Sequence, residues 1–278
     1  MIDDFNDYPD RRFTSGNILT PHDIIQGLTK LGLEESKPVL AHASLSAFGK
    51  VQGGANTIIN ALTKYLEHVM MPTFTYRSMV IPETGPIDNA LSYGTGREQN
   101  KLAEFFHPNM RSDRTMGVIA EALRQLPRSQ RSMHPILSFA GINVDSILFE
   151  QKLQDPLGTI RALAEQDGWI LLLGVDQTTN TSIHYVEKLA GRRQFTRWAL
   201  TYQGIWECPG FPGCSMGFNK AAYALSKIIR NVHIGSALVQ AFPLQTMIEI
   251  LFDILKKNRL AFLCDDPDCE RCVSSAVM

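Results

Sequence analysis

The sequence predicts an α/β protein with a central sheet flanked by helices, in a single domain over residues 1–278. Three observations carry this. Short continuous apolar runs such as Trp169–Leu173 have strand length and no polar alternation, the pattern of a strand buried on both faces. Segments with apolar residues at helical spacing lie between such runs, and strands alternating with helices imply an α/β architecture. A chain of 278 residues with 44% hydrophobic content is also long enough to bury a sizeable core.

The elements follow in order. Thr20, Pro21 and Asp23 form a helix start, with a Thr cap, Pro in the first turn and an early acid, and residues 24–31 continue at helical spacing. Residues 38–41 are a buried strand ending at His42, and a Ser-rich loop follows over 44–46. Gly53 and Gly54 lead into an amphipathic helix over 57–66, then a strand over 69–71. The stretch 77–96 has few periodic signals and reads as a long surface loop and candidate substrate lid. Residues 116–126 read as a helix, Trp169–Leu173 as a strand after the Asp167-Gly168 turn, and 181–189 as a helix. Helical patterns recur over 220–230 and 244–257. Strand order cannot be read from these local signals.

Composition excludes several classes. The 27 basic and 28 acidic residues leave a net charge of -1, which argues against nucleic acid or an anionic membrane as partner. The N-terminus, Met1-Ile2-Asp3-Asp4-Phe5, is acidic and lacks the apolar region of a signal peptide. No apolar run approaches the ~18 residues of a transmembrane helix. The five cysteines are odd in number, which favours reduced thiols and a cytoplasmic location over a disulfide framework.

Four groups of residues carry possible chemistry. The segment 42–54 joins a buried strand to a helix with small residues, two Ser hydroxyls and a helix N-terminus, all suited to a phosphate. It is neither a Walker nor a Rossmann motif, and an ordinary strand-to-helix turn has the same look. His184 and Glu187 are three apart after an apolar strand, so a helix places them on one face. That pair suits an oriented general base, although from the residues alone a satisfied helix His beside a surface Glu is the commoner arrangement. Arg131 and Ser132 precede His134-Pro135; Arg131 suits a phosphate, while Pro135 favours a structural role for His134. Cys208, Cys214, Cys264, Cys269 and Cys272 form either a structural zinc site or a set of free thiols.

The segments HASLSAFGKVQGGA, MPTFTY, RTMGVIAEALR, RSMHPILSF and LLLGVDQTTNTSIHYVE occur in that order between about residue 20 and residue 236. Together they resemble the aminoglycoside 3-N-acetyltransferase family, whose antibiotic N-acetyltransferase fold differs from the common GNAT fold. The resemblance implies a transferase that moves acetyl from acetyl-CoA to the 3-amino group of an aminoglycoside, a resistance activity. It implies that His42, Ser44, Leu45, Ser46, Gly49, Val51, Gly53, Gly54, Arg131 and Ser132 hold the CoA, and that Thr75 stabilises the oxyanion. His184 would be the base, Glu187 its orienting group, and Tyr76, Asp176 and Glu207 the amine site. No acyl-enzyme is implied.

The Cys-bearing tail resembles those of Bacillus-like and environmental members, for which a different amine is the alternative acceptor. A polycation pocket needs several acids, and Asp88, Asp113, Glu121, Asp176 and Glu207 are the candidates. A third reading is a non-catalytic, zinc-stabilised CoA-binding protein. The family resemblance further suggests a monomer or homodimer.

Overall fold

The computed structural model describes residues 18–276; the acidic N-terminal residues lie outside the described part. Ten strands and ten helices occur within it. The strands are β1 (Val39–Ala43), β2 (Val69–Pro72), β3 (Met79–Val80), β4 (Gln130–Arg131), β5 (Phe139–Ile142), β6 (Trp169–Leu173), β7 (Phe195–Thr201), β8 (Gly204–Phe211), β9 (Arg230–Ile234) and β10 (Ala237–Pro243). The helices are α1 (Pro21–Leu31), α2 (Gly54–Tyr65), α3 (Arg97–Asn100), α4 (Gly117–Arg124), α5 (Asp145–Phe149), α6 (Gly158–Glu165), α7 (Ser182–Leu189), α8 (Ala222–Leu225), α9 (Leu244–Lys257) and α10 (Glu270–Ala276).

Seven strands form one sheet in the order β4-β5-β2-β1-β6-β10-β9. Its centre is parallel, with Val39 opposite both Val69 and Trp169, and both flanks are antiparallel. The parallel strands are buried on both faces, which is why their sequences are continuously apolar. Alternation then assigns side chains to two cores. Leu40, Met70, Ile170 and Leu172 enter one core with residues of α6, α7 and α9. Val39, Val69, Met71 and Leu171 enter the other with α1, α2 and α4. A second, antiparallel sheet, β3-β7-β8, stands beside the first.

Local chemistry explains the helix ends. Thr20 and Asp23 make a reciprocal capping box on α1, and Gly32 closes that helix in the left-handed conformation. The pattern over 220–230 yields less helix than expected: α8 ends at Leu225, and β9 begins at Arg230. Pairing with β10 is available from Arg230 onward, and that ladder wins over helical periodicity.

The 77–96 loop is a wall rather than a free lid. Asn89 is buried and clamps Thr196 of β7 in both directions, accepting from its N–H at 2.7 Å and donating to its carbonyl at 2.9 Å. The Arg197 guanidinium donates to the carbonyls of Asn89 and Ala90 at 3.0 and 3.1 Å. These bonds hold Asp88 and Ala90 at positive φ, 56° and 45°, a costly conformation for side-chain-bearing residues.

Candidate active site

The carboxyl ends of β1, β2 and β6 open onto a cavity of about 1550 Å³. That exceeds the ~300–1,000 Å³ of a typical single-ligand site, so it accommodates two molecules together. His42, Ser44, Leu45, Ser46 and Gly49 line one end, beside Arg114 to Val118 at the start of α4. His184, Tyr76 and Arg197 line the other, together with residues 211–216 and 269–271.

Close backbone approach shapes the first end. The N–H of Ser44 donates to Leu173 O at 3.0 Å, which binds the 44–49 turn to the tip of β6. Gly174 follows at φ 68°, and a Cβ there would lie 2.4 Å from Ala47 Cβ. No other residue fits both constraints. Ser44 and Ser46 hydroxyls lie 3.1 Å apart and exposed.

His184 is held by a relay buried in α7 and its surroundings. Its Nδ1 lies 2.8 Å from Glu187 Oε2. The carboxylate accepts from Nδ1, so Nε2 is the ring nitrogen left for the cavity. Glu187 is 1% exposed, and its other oxygen accepts from the Arg192 guanidinium. Arg192 in turn donates to the carbonyls of Arg259 and Ala261. The imidazole rests against the Phe218 ring, 4.6 Å between centroids. An oriented imidazole with one nitrogen facing a cavity is the arrangement of a general base.

Tyr76 faces the same space. Burial, with the charge of Asp113 adding to it, pushes its hydroxyl up to about 12, so it remains a proton donor at neutral pH.

His42 and His134 are different. Burial holds His42 down to about 3 and His134 down to about 4. His134 Nδ1 accepts from the N–H groups of Ile136 and Leu137 at 3.1 and 3.0 Å, so it organises the turn before β5 rather than serving as a second base. Both groups are neutral in the fold but protonate in the unfolded chain below its ordinary value near 6.5. Between about pH 6.5 and these depressed values the unfolded state binds more protons, so stability falls as pH falls. Urea unfolding at pH 5 is expected to give a stability lower than at pH 7.5 by on the order of a few kcal/mol. His42→Leu should flatten that dependence; an unchanged slope would remove His42 as a contributor.

Several expected site residues are placed elsewhere. Thr75 is 1% exposed; its hydroxyl donates to Pro135 O at 2.7 Å and its N–H to Ile136 O at 2.8 Å, leaving no donor for an oxyanion. Arg131 does not reach the cavity. Its guanidinium bonds the carbonyls of Thr73, Pro108 and Met110 and the Ser138 hydroxyl, which knits three loops. Ser132 is buried and accepts from the N–H of Phe139 at 2.8 Å. Val51, Gly53 and Gly54 lie behind the cavity: Val51 bridges to Leu19, and both glycines start α2 at positive φ.

The acids also scatter. Glu207 is exposed on β8 opposite Trp198. Asp176 lies just outside the lining, its carboxylate accepting from Thr178 and Asn219. Burial raises its pKa, but those bonds outweigh it and hold it below the usual range. Glu121 is buried in a cluster with Ser112, Arg124 and Gln125. There burial pushes it up, while Arg124 and Ser112 prevail and hold it down to about 2. Asp113 caps the turn at Thr115, and Asp88 pairs with Arg193 at the surface. Glu270 is the single carboxylate among the described lining residues.

The five thiols divide. The Sγ atoms of Cys214, Cys264, Cys269 and Cys272 all lie within 4.8 Å of one another. Cys208 stays apart, its thiol directed at Trp206 O, and burial pushes it up to about 12.

Sequence reading missed the cavity roles of Arg114, Arg197 and residues 211–216 and 269–271. Arg114, directly before a Gly-initiated helix, carried a usable signal. The others had none, because the second sheet and the tail reach the cavity only by folding back.

Comparison with known proteins identifies the family and the fold. The family model for aminoglycoside 3-N-acetyltransferases matches residues 40–256, well over half of the chain. The SPβ prophage-derived aminoglycoside N(3′)-acetyltransferase-like protein of Bacillus subtilis (strain 168) is 30% identical over 178 residues, 60% of this chain and 64% of that protein. Aminoglycoside N(3)-acetyltransferase III of Salmonella sp is 27% identical over 176 residues, 60% of this chain and 59% of its own length. The matched segments thus span about three fifths of those relatives. The crystal structure of the Bacillus subtilis YokD protein superposes with a TM-score of 0.77 at 24% identity, covering 87% of this chain and 95% of that one. Apo aminoglycoside acetyltransferase AAC(3)-IVa gives 0.77 at 22% identity, covering 95% and 99%. The fold is therefore shared along nearly the whole described chain. Among the described residues no helix is long and apolar enough to cross a membrane.

Proposed function

The chain belongs to the aminoglycoside 3-N-acetyltransferase family, and from that premise we propose that it transfers acetyl from acetyl-CoA directly to the 3-amino group of an aminoglycoside, in the cytoplasm. The observation that carries this reading is the His184–Glu187–Arg192 relay facing a cavity large enough for both substrates. Ser44, Ser46 and the start of α4 with Arg114 hold the CoA; His184, Tyr76 and Glu270 border the amine. His184 Nε2 takes a proton from the amine. The amine lone pair attacks the thioester carbonyl, the C–S bond breaks, the departing sulfur takes up the proton that the attacking nitrogen sheds so that CoA leaves as its thiol, and the proton on His184 passes to solvent. Holding both reactants in one cavity removes the need for an acyl-enzyme.

Glu187 acts through His184. Glu187→Gln should lower kcat less than loss of the imidazole does, since it alters orientation and tautomer while leaving the base. Full activity in that variant would reduce Glu187 to a structural residue.

A second reading, the same transfer to a different amine, draws on the scattered acids: none of Asp88, Asp113, Glu121, Asp176 and Glu207 lines the cavity. The test of both is release of CoA thiol from acetyl-CoA with a panel of aminoglycosides and simpler amines. Release with compounds carrying a free 3-amino group supports the first reading; release only with other amines supports the second. Absence of release with every acceptor would remove the transferase reading.

The four grouped thiols suit a structural zinc ion. A tetrahedral tetrathiolate with Zn–S near 2.3 Å needs sulfurs roughly 3.8 Å apart. The observed spacing, at most 4.8 Å with Cys264 to Cys272 at 3.3 Å, requires only small adjustments.

A further inference from the structure

The thiol cluster is part of the amine end of the cavity. Cys214 and Cys269 line the cavity themselves. Glu270 and Arg271 follow Cys269 directly and line it too, and Arg271 Nη1 donates to Gly213 O at 3.2 Å across the two segments. The segments come from far apart: Cys214 follows β8, while Cys264, Cys269 and Cys272 lie beyond α9. Lys220 also holds the tail here, reaching Leu263 O and Asp265 from the neighbouring turn.

Charge makes the cluster more than a clamp. The amine end carries two guanidiniums, Arg197 and Arg271, against the one carboxylate of Glu270. A divalent ion on four thiolates carries two net negative charges, so a loaded site adds negative charge beside Glu270 and opposes the two guanidiniums.

We propose that metal loading of Cys214, Cys264, Cys269 and Cys272 creates the acceptor site for a multiply protonated amine, by seating Glu270 on the cavity wall and placing a negatively charged metal centre beside it. This rests on the acetyl-transfer and zinc readings above. It adds that the metal governs acceptor recognition, that Glu270 is a specificity-determining residue, and that CoA binding is independent of the metal. The last point follows from the residues assigned to CoA, which come from the turn after β1 and the start of α4 rather than from the thiol-bearing segments.

The experiment begins with metal content and Co²⁺ substitution of the purified full chain. One ion per chain and the visible absorption of a cobalt tetrathiolate are expected; failure to take up metal would overturn the proposal at its base. Adding an aminoglycoside to the cobalt form should shift that absorption. This readout needs binding alone, so it stands even where no acetyl transfer is seen. Metal-free protein, prepared with a thiol-releasing reagent, a chelator and reductant, is then compared with loaded protein. The KM for a polycationic aminoglycoside should rise about tenfold or more in the metal-free form, and that for a singly charged amine much less. Acetyl-CoA affinity by calorimetry should stay within about twofold. Equal KM values with and without metal, or an equal rise for both amines, would overturn it. Glu270→Gln keeps every thiol and should raise the polycation KM in the loaded protein. Cys264→His, which retains a ligand, should preserve both metal and KM where Cys264→Ser loses them.

Discussion

His184→Ala is expected to lower kcat by about 10²–10⁴-fold while acetyl-CoA affinity stays within about twofold. The physical reason lies in the substrate. The amine arrives protonated, and nothing attacks the thioester until a proton leaves. Nε2 is the nitrogen left free once Nδ1 is engaged with Glu187, and the ring is fixed between that bond and the Phe218 face. Removing it takes away the acceptor for that proton but touches none of the groups at the CoA end. The measurement is initial-rate release of CoA thiol, with calorimetry for the cofactor. Raising the pH should recover part of the lost rate, because solvent then supplies more deprotonated amine. A wild-type rate in His184→Ala would take the residue out of the reaction.

Arg192→Ala is expected to destabilise the fold by about 3–5 kcal/mol, because it leaves a buried carboxylate without its counter-charge. Glu187 is 1% exposed and Arg192 6%. The carboxylate accepts from Arg192 and His184 alone among its bonded partners, so the loss falls on a charge that solvent cannot reach. The same guanidinium also closes the carbonyls of Arg259 and Ala261, just before the cysteine-bearing tail. Urea denaturation at pH 7.5 measures this. The double change Arg192→Met with Glu187→Gln should recover part of the stability but not the activity, because an apolar and neutral pair no longer buries a charge. A cost below about 1 kcal/mol for Arg192→Ala would show that water reaches the pair.

Much of the fold was readable from local patterns. The α1 capping box, the continuous apolar strands β1, β2 and β6, and helices α2, α4, α7 and α9 follow from short-range spacing. The His184–Glu187 pair was readable for the same reason: a separation of three on a helix sets the side chains together without any help from the rest of the chain. The small residues between β1 and α2 pointed to a close approach, which the 44–49 turn makes against Gly174.

What the tertiary structure decided concerns partners distant in sequence. A threonine at the end of β2 looks available until the Pro135 carbonyl, 60 positions away, takes its hydroxyl. Arg131 looks suited to phosphate until two segments offer it three carbonyls, which fix a buried guanidinium more economically than a distant ligand does. The strand order, the choice of four thiols from five, and the arrival of Glu270 and Arg271 at the cavity depend on chain return over tens of residues. The sequence by itself determined these elements and the placing of His184 beside Glu187, because these arise from periodicities shorter than two helical turns. Only the tertiary structure decided which polar groups remain free to meet a ligand, because a buried donor or acceptor takes the partner that packing brings to it.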